Sequence, residues 1–171
     1  IEGNPIPSFI DLVMEVVPDQ VTLVPDAEDA ITSNAGWDAV RHRSFLTEVC
    51  AEFKSKGIRT SIFIDPKPEM AEAAALCGCD RVELYTESYA SMFLQDRARA
   101  IEPFLKTAEA VRDCGLGLNA GHDLNLDNLE YFIRTIPWTD EVSIGHAVIC
   151  DALYMGLEKT IQAYLSKVKI F

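Results

Sequence analysis

Two glycine–histidine pairs are the residues of this sequence best suited to proton transfer beside an anionic ligand. They stand in NAGHD (119–123) and SIGHA (143–147), each at the end of a run that predicts a β-strand and ahead of a predicted helix. A glycine lets a ligand approach the backbone N–H closely, and the start of a helix favours negative charge. Imidazole gives or takes a proton near neutral pH. The pairs therefore predict a phosphate cradle with His122 and His146 beside it.

The competing interpretation of these histidines is structural, namely that both cap helices or bond to buried carbonyl groups. Either pair alone would favour that interpretation. Two pairs at consecutive strand ends favour function, because the loops after the last strands of a (β/α)8 barrel commonly bind phosphate. The third histidine, His42, lies between two arginines in a helical stretch and is interpreted as a solvated helix residue.

Carboxylates and hydroxyls accompany other predicted strands. Glu2 stands at a strand end and could act as a general base if burial raises its pKa; an exposed carboxylate without a role is the alternative. The segment 25–38, PDAEDAITSNAGWD, is too long for a tight turn and has the profile of an active-site loop. In it Thr32 and Ser33 offer hydroxyl groups, although a solvated acidic loop fits equally. Glu83 alternates with apolar neighbours, which places it toward a barrel interior or in a buried ion pair.

The elements that must position these residues alternate between strand and helix patterns. Hairpin signals such as Asn-Gly do not join the strand runs, so the strands are expected to be parallel and connected by crossover helices. Short β-branched runs predict strands at 20–24, 59–64, 81–85, 116–120 and 141–145, and apolar spacing predicts helices at roughly 6–17, 39–56, 67–77, 97–114, 126–134 and 147–167.

Open doubly wound sheets and (β/α)8 barrels share this alternation. The barrel is favoured because polar or small residues follow every predicted strand, as on the active-site face of a barrel, and because the first visible strand lacks a glycine-rich dinucleotide fingerprint. Five clear strands and a remnant at Glu2 cannot close a barrel of eight. We therefore predict that residues 1–171 are the C-terminal portion of a single (β/α)8 barrel domain. The N-terminal strands would lie outside this sequence, which opens without methionine and has the character of part of a longer chain.

Composition restricts the ligands and partners. The chain has 49% hydrophobic and 25% charged residues, which is typical of a globular domain. Its net charge is −12 and its Lys and Arg form no basic stripe, so neither a nucleic acid nor a membrane surface is expected as a partner. Without an apolar span or a secretory leader, a cytoplasmic location is expected.

The five cysteines are interpreted as buried free thiols, and the Cys77 and Cys79 pair lacks a second pair that would complete a metal site.

A resemblance to the pyridoxine 5'-phosphate synthase family of vitamin B6 biosynthesis runs collinearly from Glu2 to about Lys167. It is carried by the strings VTLVP, TSIFIDP, RVELYT, LNAGHDLNLDNL and EVSIGHAVICDALYMGLEKTI. The resemblance implies a (β/α)8 barrel that condenses 1-deoxy-D-xylulose 5-phosphate with 3-amino-2-oxopropyl phosphate, releasing phosphate and water as the pyridine ring closes. It also implies a homo-oligomer, often an octamer, that uses neither a metal nor an organic cofactor.

The resemblance assigns roles to individual residues. It implies that Glu2 is a proton acceptor and that His122 is a proton donor. It implies that Thr32 contacts the deoxyxylulose phosphate. The residues that it places on the amino-oxopropyl phosphate are Asp123, Gly145 and His146.

The sequence departs from the family pattern at two places. Gly3 and Asn4 follow Glu2 where Met and Ala are usual, and Asp123 stands where glycine is frequent, which indicates a backbone contact to phosphate. The family's first strands, with a second catalytic histidine and phosphate-binding arginines, are not in this sequence, so it is expected to be inactive alone.

The alternative functions are those of another phosphosugar isomerase or lyase on such a barrel, or of a non-catalytic phosphate-binding or assembly subunit. A Schiff-base aldolase would usually need a lysine at a strand end, and none is present.

Overall fold

Six parallel strands form one sheet whose spatial order is the order of the chain. The computed structural model describes residues 1–27 and 30–169. The strands are β1 Glu2–Gly3, β2 Gln20–Leu23, β3 Arg59–Ile64, β4 Arg81–Tyr85, β5 Gly117–Gly121 and β6 Glu141–Ser143. The helices are α1 Pro7–Val16, α2 Arg43–Lys54, α3 Pro68–Leu76, α4 Glu87–Phe93, α5 Arg97–Asp113, α6 Leu129–Thr135, α7 His146–Met155 and α8 Leu157–Val168. The predicted parallel sheet with crossover helices is confirmed.

The two faces of the sheet differ in polarity because side chains alternate along each strand. One face is apolar and belongs to the same buried core as the inward faces of the helices; β4 contributes Val82 and Leu84 to it. The other face carries polar side chains that are nonetheless buried. These are Thr22, Ser61, Glu83 and Asn119. The polar face is therefore the interior of a curved sheet rather than a solvated surface.

Contacts between distant strands show that the sheet curls. The Gln20 amide on β2 donates to Glu141 Oε2 on β6 at 3.3 Å, and the Arg59 guanidinium on β3 lies 2.7 Å from Glu141 Oε1. In a flat sheet β2 and β6 would lie four strand spacings, roughly 19 Å, apart, which these side chains cannot bridge. The strands thus form a TIM-like α/β fold, and the described residues make up six strands rather than a closed barrel of eight.

The helix predictions missed one helix and joined two others into one. Helix α4 was not predicted, because its seven residues are too few to show a period; it is held by Tyr89, which is fully buried and donates its hydroxyl to Asn128 O at 2.6 Å. The single helix expected at 147–167 is two helices, α7 and α8. Gly156 separates them with φ 81° and ψ 145°, a conformation that interrupts helical bonding and that glycine adopts readily.

The cysteines are buried at three positions only. Cys50, Cys77 and Cys79 lie in the core, whereas Cys114 and Cys150 are exposed, so the expectation of buried thiols was wrong for these two. Cys114 caps the end of α5, and Cys150 lies on α7, a helix without a fully buried residue. Across the described ranges, no helix is long and apolar enough to cross a membrane.

Candidate active site

A cavity of about 850 Å³ opens at the C-terminal ends of the strands. Its wall includes all six residues to which the sequence assigned roles, namely Glu2, Thr32, His122, Asp123, Gly145 and His146. His122 and His146 therefore lie at the same end of the sheet, as their positions at consecutive strand ends predicted. The individual roles of the six residues remain predictions.

A left-handed turn presents His122 to the cavity. His122 and Asp123 have φ values of 79° and 57°, a region that non-glycine residues occupy only when neighbours hold them there. Thr86 donates its hydroxyl to Gly121 O at 2.8 Å, and the Asn128 side chain donates to Asp123 O at 3.2 Å. The helix predicted at 126–134 is present, but α6 begins at Leu129, three residues later than expected, because this turn intervenes.

Both ring nitrogens of His122 are engaged. Nδ1 lies 2.7 Å from Asp123 Oδ2, and Nε2 lies 2.9 Å from Thr32 Oγ1. The Tyr85 ring meets the imidazole edge to face, with centroids 4.9 Å apart and an interplanar angle of 84°. Three neighbours from separate parts of the chain thus fix the position and orientation of this side chain.

The segment 25–38 reaches the cavity, as expected of an active-site loop, although its residues 28 and 29 lie outside the described residues. Tyr85 donates its hydroxyl to Ser33 O at 3.1 Å, and Ser33 donates to Asp26 Oδ2 at 2.5 Å. Asn4 donates its amide to Asp26 O at 2.7 Å. The unusual Asn4 therefore ties the segment after β1 to the loop that carries Thr32.

Glu83 is the residue of the cavity that sequence reasoning left undecided. Its side chain projects from the middle of β4 and is 2% exposed, and its Oε2 has no hydrogen-bond partner among the described residues. Burial raises the pKa of Glu83 to about 7, and the negative charge of Glu2 adds to the shift. No cation in the described part of the chain pairs with Glu83, so the interior position is the one observed. The alternation Arg-Val-Glu-Leu-Tyr was the signal for it.

Glu2 stands at the rim of the same cavity. Desolvation by the cavity wall raises its pKa, and the neighbouring Asp26 raises it further, while His122 acts in the opposite direction. Two carboxylates, the exposed Glu2 and the buried Glu83, and the imidazole of His122 thus line one cavity. Such a set can move protons between several positions of one bound substrate.

The glycines of the two glycine–histidine pairs serve different purposes. At Gly121 the place of a Cβ is filled by the Glu83 carboxylate and by Ser143, so the expectation that this glycine clears space for a ligand was wrong. At Gly145 a Cβ would meet open space. Gly145 is the N-cap of α7 and, with His146 and Ala147, lines the cavity, so the positive end of the helix faces the ligand space.

Replacing Gly121 by alanine is expected to displace the Glu83 carboxylate. The added methyl group overpacks a buried site, which typically costs about 1–3 kcal/mol of unfolding free energy, and it moves a carboxylate of the cavity as well. Chemical denaturation should show the loss of stability, and kcat should fall with it. A Gly121→Ala enzyme with unchanged stability and kcat would show that the two side chains are not packed as described.

The described residues, 1–27 and 30–169, contain no group of three or more His, Cys, Asp or Glu side chains arranged to hold a metal ion. The cavity is lined by carboxylates, imidazoles, hydroxyls and the start of α7. Fold and site together define the class: a TIM-like α/β protein whose cavity, at the carboxyl ends of its strands, is lined by carboxylates, imidazoles and the N-terminus of a helix.

Comparison with known proteins gives the family within that class. The family model described as "Pyridoxal phosphate biosynthesis protein PdxJ" matches residues 1–170. Pyridoxine 5'-phosphate synthase of Christiangramia forsetii is 60% identical over 169 residues, which cover 99% of this chain and 71% of that protein. The Bacteroides fragilis enzyme of the same name is 62% identical over 164 residues, covering 96% and 69%. The chain belongs to the pyridoxine 5'-phosphate synthase family.

Similarity to solved structures supports the fold alone. The crystal structure of the Amycolatopsis orientalis BexX/CysO complex contains a chain that superposes with a TM-score of 0.58 at 15% sequence identity. The match covers 92% of this chain and 59% of that chain. This chain therefore spans about three fifths of the length of that structural neighbour.

Proposed function

We propose that this protein forms pyridoxine 5'-phosphate by condensing 1-deoxy-D-xylulose 5-phosphate with 3-amino-2-oxopropyl phosphate in the cavity at the strand ends. The observation that carries the proposal is the convergence of all six role-bearing residues on one cavity wall. The family's name specifies the product, and the sequence resemblance specifies the two substrates. The buried Glu83 adds a proton-transfer group that the resemblance did not assign.

The reaction needs proton transfers at several oxygen and carbon atoms. The amine of one substrate attacks the carbonyl of the other, a C–N bond forms, and the resulting hydroxyl leaves as water once it has been protonated. In our proposal His122 supplies that proton and Glu2 accepts protons from carbon or nitrogen. Glu83, with a pKa of about 7, can hold or release a proton near neutral pH.

The substrate phosphates need local anchors, because the chain as a whole is acidic, with a net charge of −12. The start of α7 supplies the backbone N–H groups of Gly145 and His146, on the cavity wall. We assign the amino-oxopropyl phosphate to this helix end and to the backbone of Asp123. Thr32 contacts the deoxyxylulose phosphate in this proposal.

The Gly145→Ala substitution is expected to raise KM about tenfold or more while leaving the fold intact. The new methyl group enters the open space in front of α7 and hinders a charge-assisted hydrogen bond, which is worth about 1.5–3 kcal/mol. Stability should fall by no more than about 1–2 kcal/mol, because a Cβ at Gly145 meets no other atom and the cost is limited to the N-cap preference for glycine over alanine. Steady-state kinetics and thermal denaturation check both parts. An unchanged KM would place the phosphate elsewhere.

We further propose that residues 1–171 form the C-terminal portion of a single (β/α)8 barrel domain, completed by strands outside this sequence. Strands β1 and β6 are the two margins of the curled sheet, and the curated relatives are longer than the matched segment, which is 71% of the Christiangramia forsetii protein. Added strands between these margins would close the barrel and complete the cavity wall. Activity is therefore expected of the full-length enzyme.

A cytoplasmic homo-oligomer is the proposed working form. The five cysteines form no disulfide, which fits a reducing compartment. On α7, the side chains of Leu153 and Tyr154 are 81% and 92% exposed, and apolar groups in such positions commonly mark contacts between subunits. Size-exclusion chromatography with light scattering would give the oligomeric state.

The experiment that tests the function is an assay with the two substrates supplied together and singly. The proposal expects pyridoxine 5'-phosphate and inorganic phosphate only when both substrates are present. A non-catalytic phosphate-binding or assembly subunit would bind both ligands without product. An isomerase or lyase would convert one substrate without the other, and either result would reject the proposal.

A further inference from the structure

The carboxylate of Asp123 points to the imidazole of His122 rather than to the ligand space alone. Its Oδ2 lies 2.7 Å from His122 Nδ1. Two residues adjacent in sequence meet in this way because the backbone is left-handed at both positions. The proposed backbone contact of Asp123 with phosphate leaves its side chain unassigned. A carboxylate facing a phosphate would be repelled, so its bond to the imidazole is the favourable use of that charge.

The pairing determines which ring nitrogen carries the proton in neutral His122. An ionised carboxylate can only accept hydrogen bonds, so Nδ1 must be the donor. Nε2 then carries the lone pair and accepts a hydrogen bond from Thr32 Oγ1, 2.9 Å away on the cavity wall. The atom presented to the substrate is therefore Nε2.

We infer that Asp123 is a positioning residue, which fixes the tautomer and the ring orientation of His122 so that Nε2 serves as the proton-donating atom. The inference rests on the proposed function of His122. The negative charge of Asp123 also stabilises the imidazolium from which the proton is delivered. The Tyr85 ring limits rotation from the other side, with centroids 4.9 Å apart. Asp123 itself transfers no proton.

Two substitutions separate a positioning role from a structural one. Asp123→Asn keeps the size and tolerates the left-handed backbone but removes the charge, and Asp123→Gly removes the side chain where φ is 57°, which suits glycine. Both are expected to lower kcat roughly 10- to 100-fold with KM changed less than about threefold. The melting temperature of the glycine variant should not fall. Asp127→Asn, an exposed carboxylate outside the cavity wall, is the control expected to retain wild-type kcat.

Nitrogen NMR of ¹⁵N-histidine-labelled protein tests the tautomer independently of turnover. Wild-type His122, identified by comparison with a His122→Asn spectrum, should carry its proton on Nδ1 when neutral, and Asp123→Asn should shift the proton population toward Nε2. Protonation of Nε2 in the wild type would overturn the inference. So would a raised KM with unchanged kcat, which would make Asp123 a substrate ligand. If the wild-type enzyme makes no product, the proposed function fails, whereas the NMR result still decides the tautomer.

Discussion

Glu83→Gln is expected to produce a protein that is more stable than the wild type above neutral pH but at least 100-fold less active. The Glu83 carboxyl is 2% exposed, and its pKa is raised from about 4.5 to about 7. Between these values the unfolded chain gives up the proton while the folded protein retains it, so wild-type stability falls as the pH rises through this range. Glutamine cannot ionise and escapes the penalty, which amounts to roughly 3 kcal/mol at pH 8.

Urea denaturation of both proteins at pH 4 and pH 8 measures this effect. The stability difference should be largest at pH 8 and disappear near pH 4, where both side chains are neutral. Glu15→Gln on the exposed side of α1 is the matched control and should show no such pH-dependent gain. If the unfolding free energies of Glu83→Gln and the wild type agree at both pH values, the buried Glu83 carboxylate must be stabilised by a partner, which would contradict the structure.

The activity loss in Glu83→Gln has a separate cause. Glutamine keeps the shape of the carboxyl but can neither accept nor deliver a proton, and general acid–base groups contribute typically 10²–10⁴-fold to a rate. A gain in stability together with a loss of activity indicates a residue retained for function at a cost to the fold. Full activity of Glu83→Gln would show that Glu83 takes no part in catalysis.

His122→Asn is expected to lower kcat by about 10²–10⁴-fold with little loss of stability. Asparagine is chosen over alanine because it tolerates the left-handed backbone of this position, where φ is 79°. Its amide ends at the level of Nδ1, so it falls short of Thr32, which contacts Nε2, and it cannot donate a proton at the rate of an imidazolium. Steady-state kinetics on the full-length enzyme measures the effect.

The control for this substitution is His42→Asn. His42 is exposed and precedes α2, and its ring packs against Trp37 with centroids 5.3 Å apart, away from the cavity wall. The His42→Asn substitution should leave kcat within about twofold of the wild type. Equal effects of His42→Asn and His122→Asn on kcat would contradict a catalytic role of His122.

The sequence predicted the fold where the signal is local. Alternation in RVELY and helical spacing on either side follow from the chain itself, so strands, their parallel direction and the strand-end location of the site could all be predicted. The same alternation put Glu83 opposite Val82 and Leu84. It could not tell whether that face was an interior, because the curl depends on side chains far apart in sequence, such as Arg59 and Glu141.

Other features depend on tertiary contacts that no local pattern reports. The left-handed turn at His122 needs Thr86 and Asn128 to hold it, and both approach from outside the motif. Consequently the helix start was expected too early and Asp123 was assigned to phosphate alone. Gly121 was interpreted as ligand space because its true neighbour, Glu83, is 38 residues away in the chain and meets it only across paired strands.

Both phosphorylated substrates are expected to react in the cavity beside His122. The most direct test is a crystal structure of full-length His122→Asn enzyme with 1-deoxy-D-xylulose 5-phosphate and 3-amino-2-oxopropyl phosphate bound. We expect both ligands in this cavity, with one phosphate at the N-terminus of α7 and a reacting oxygen beside the position that Nε2 of His122 occupies in the wild type. Ligands bound outside the cavity, for example in the groove between α3 and α5 near Lys67 and Lys106, would contradict it.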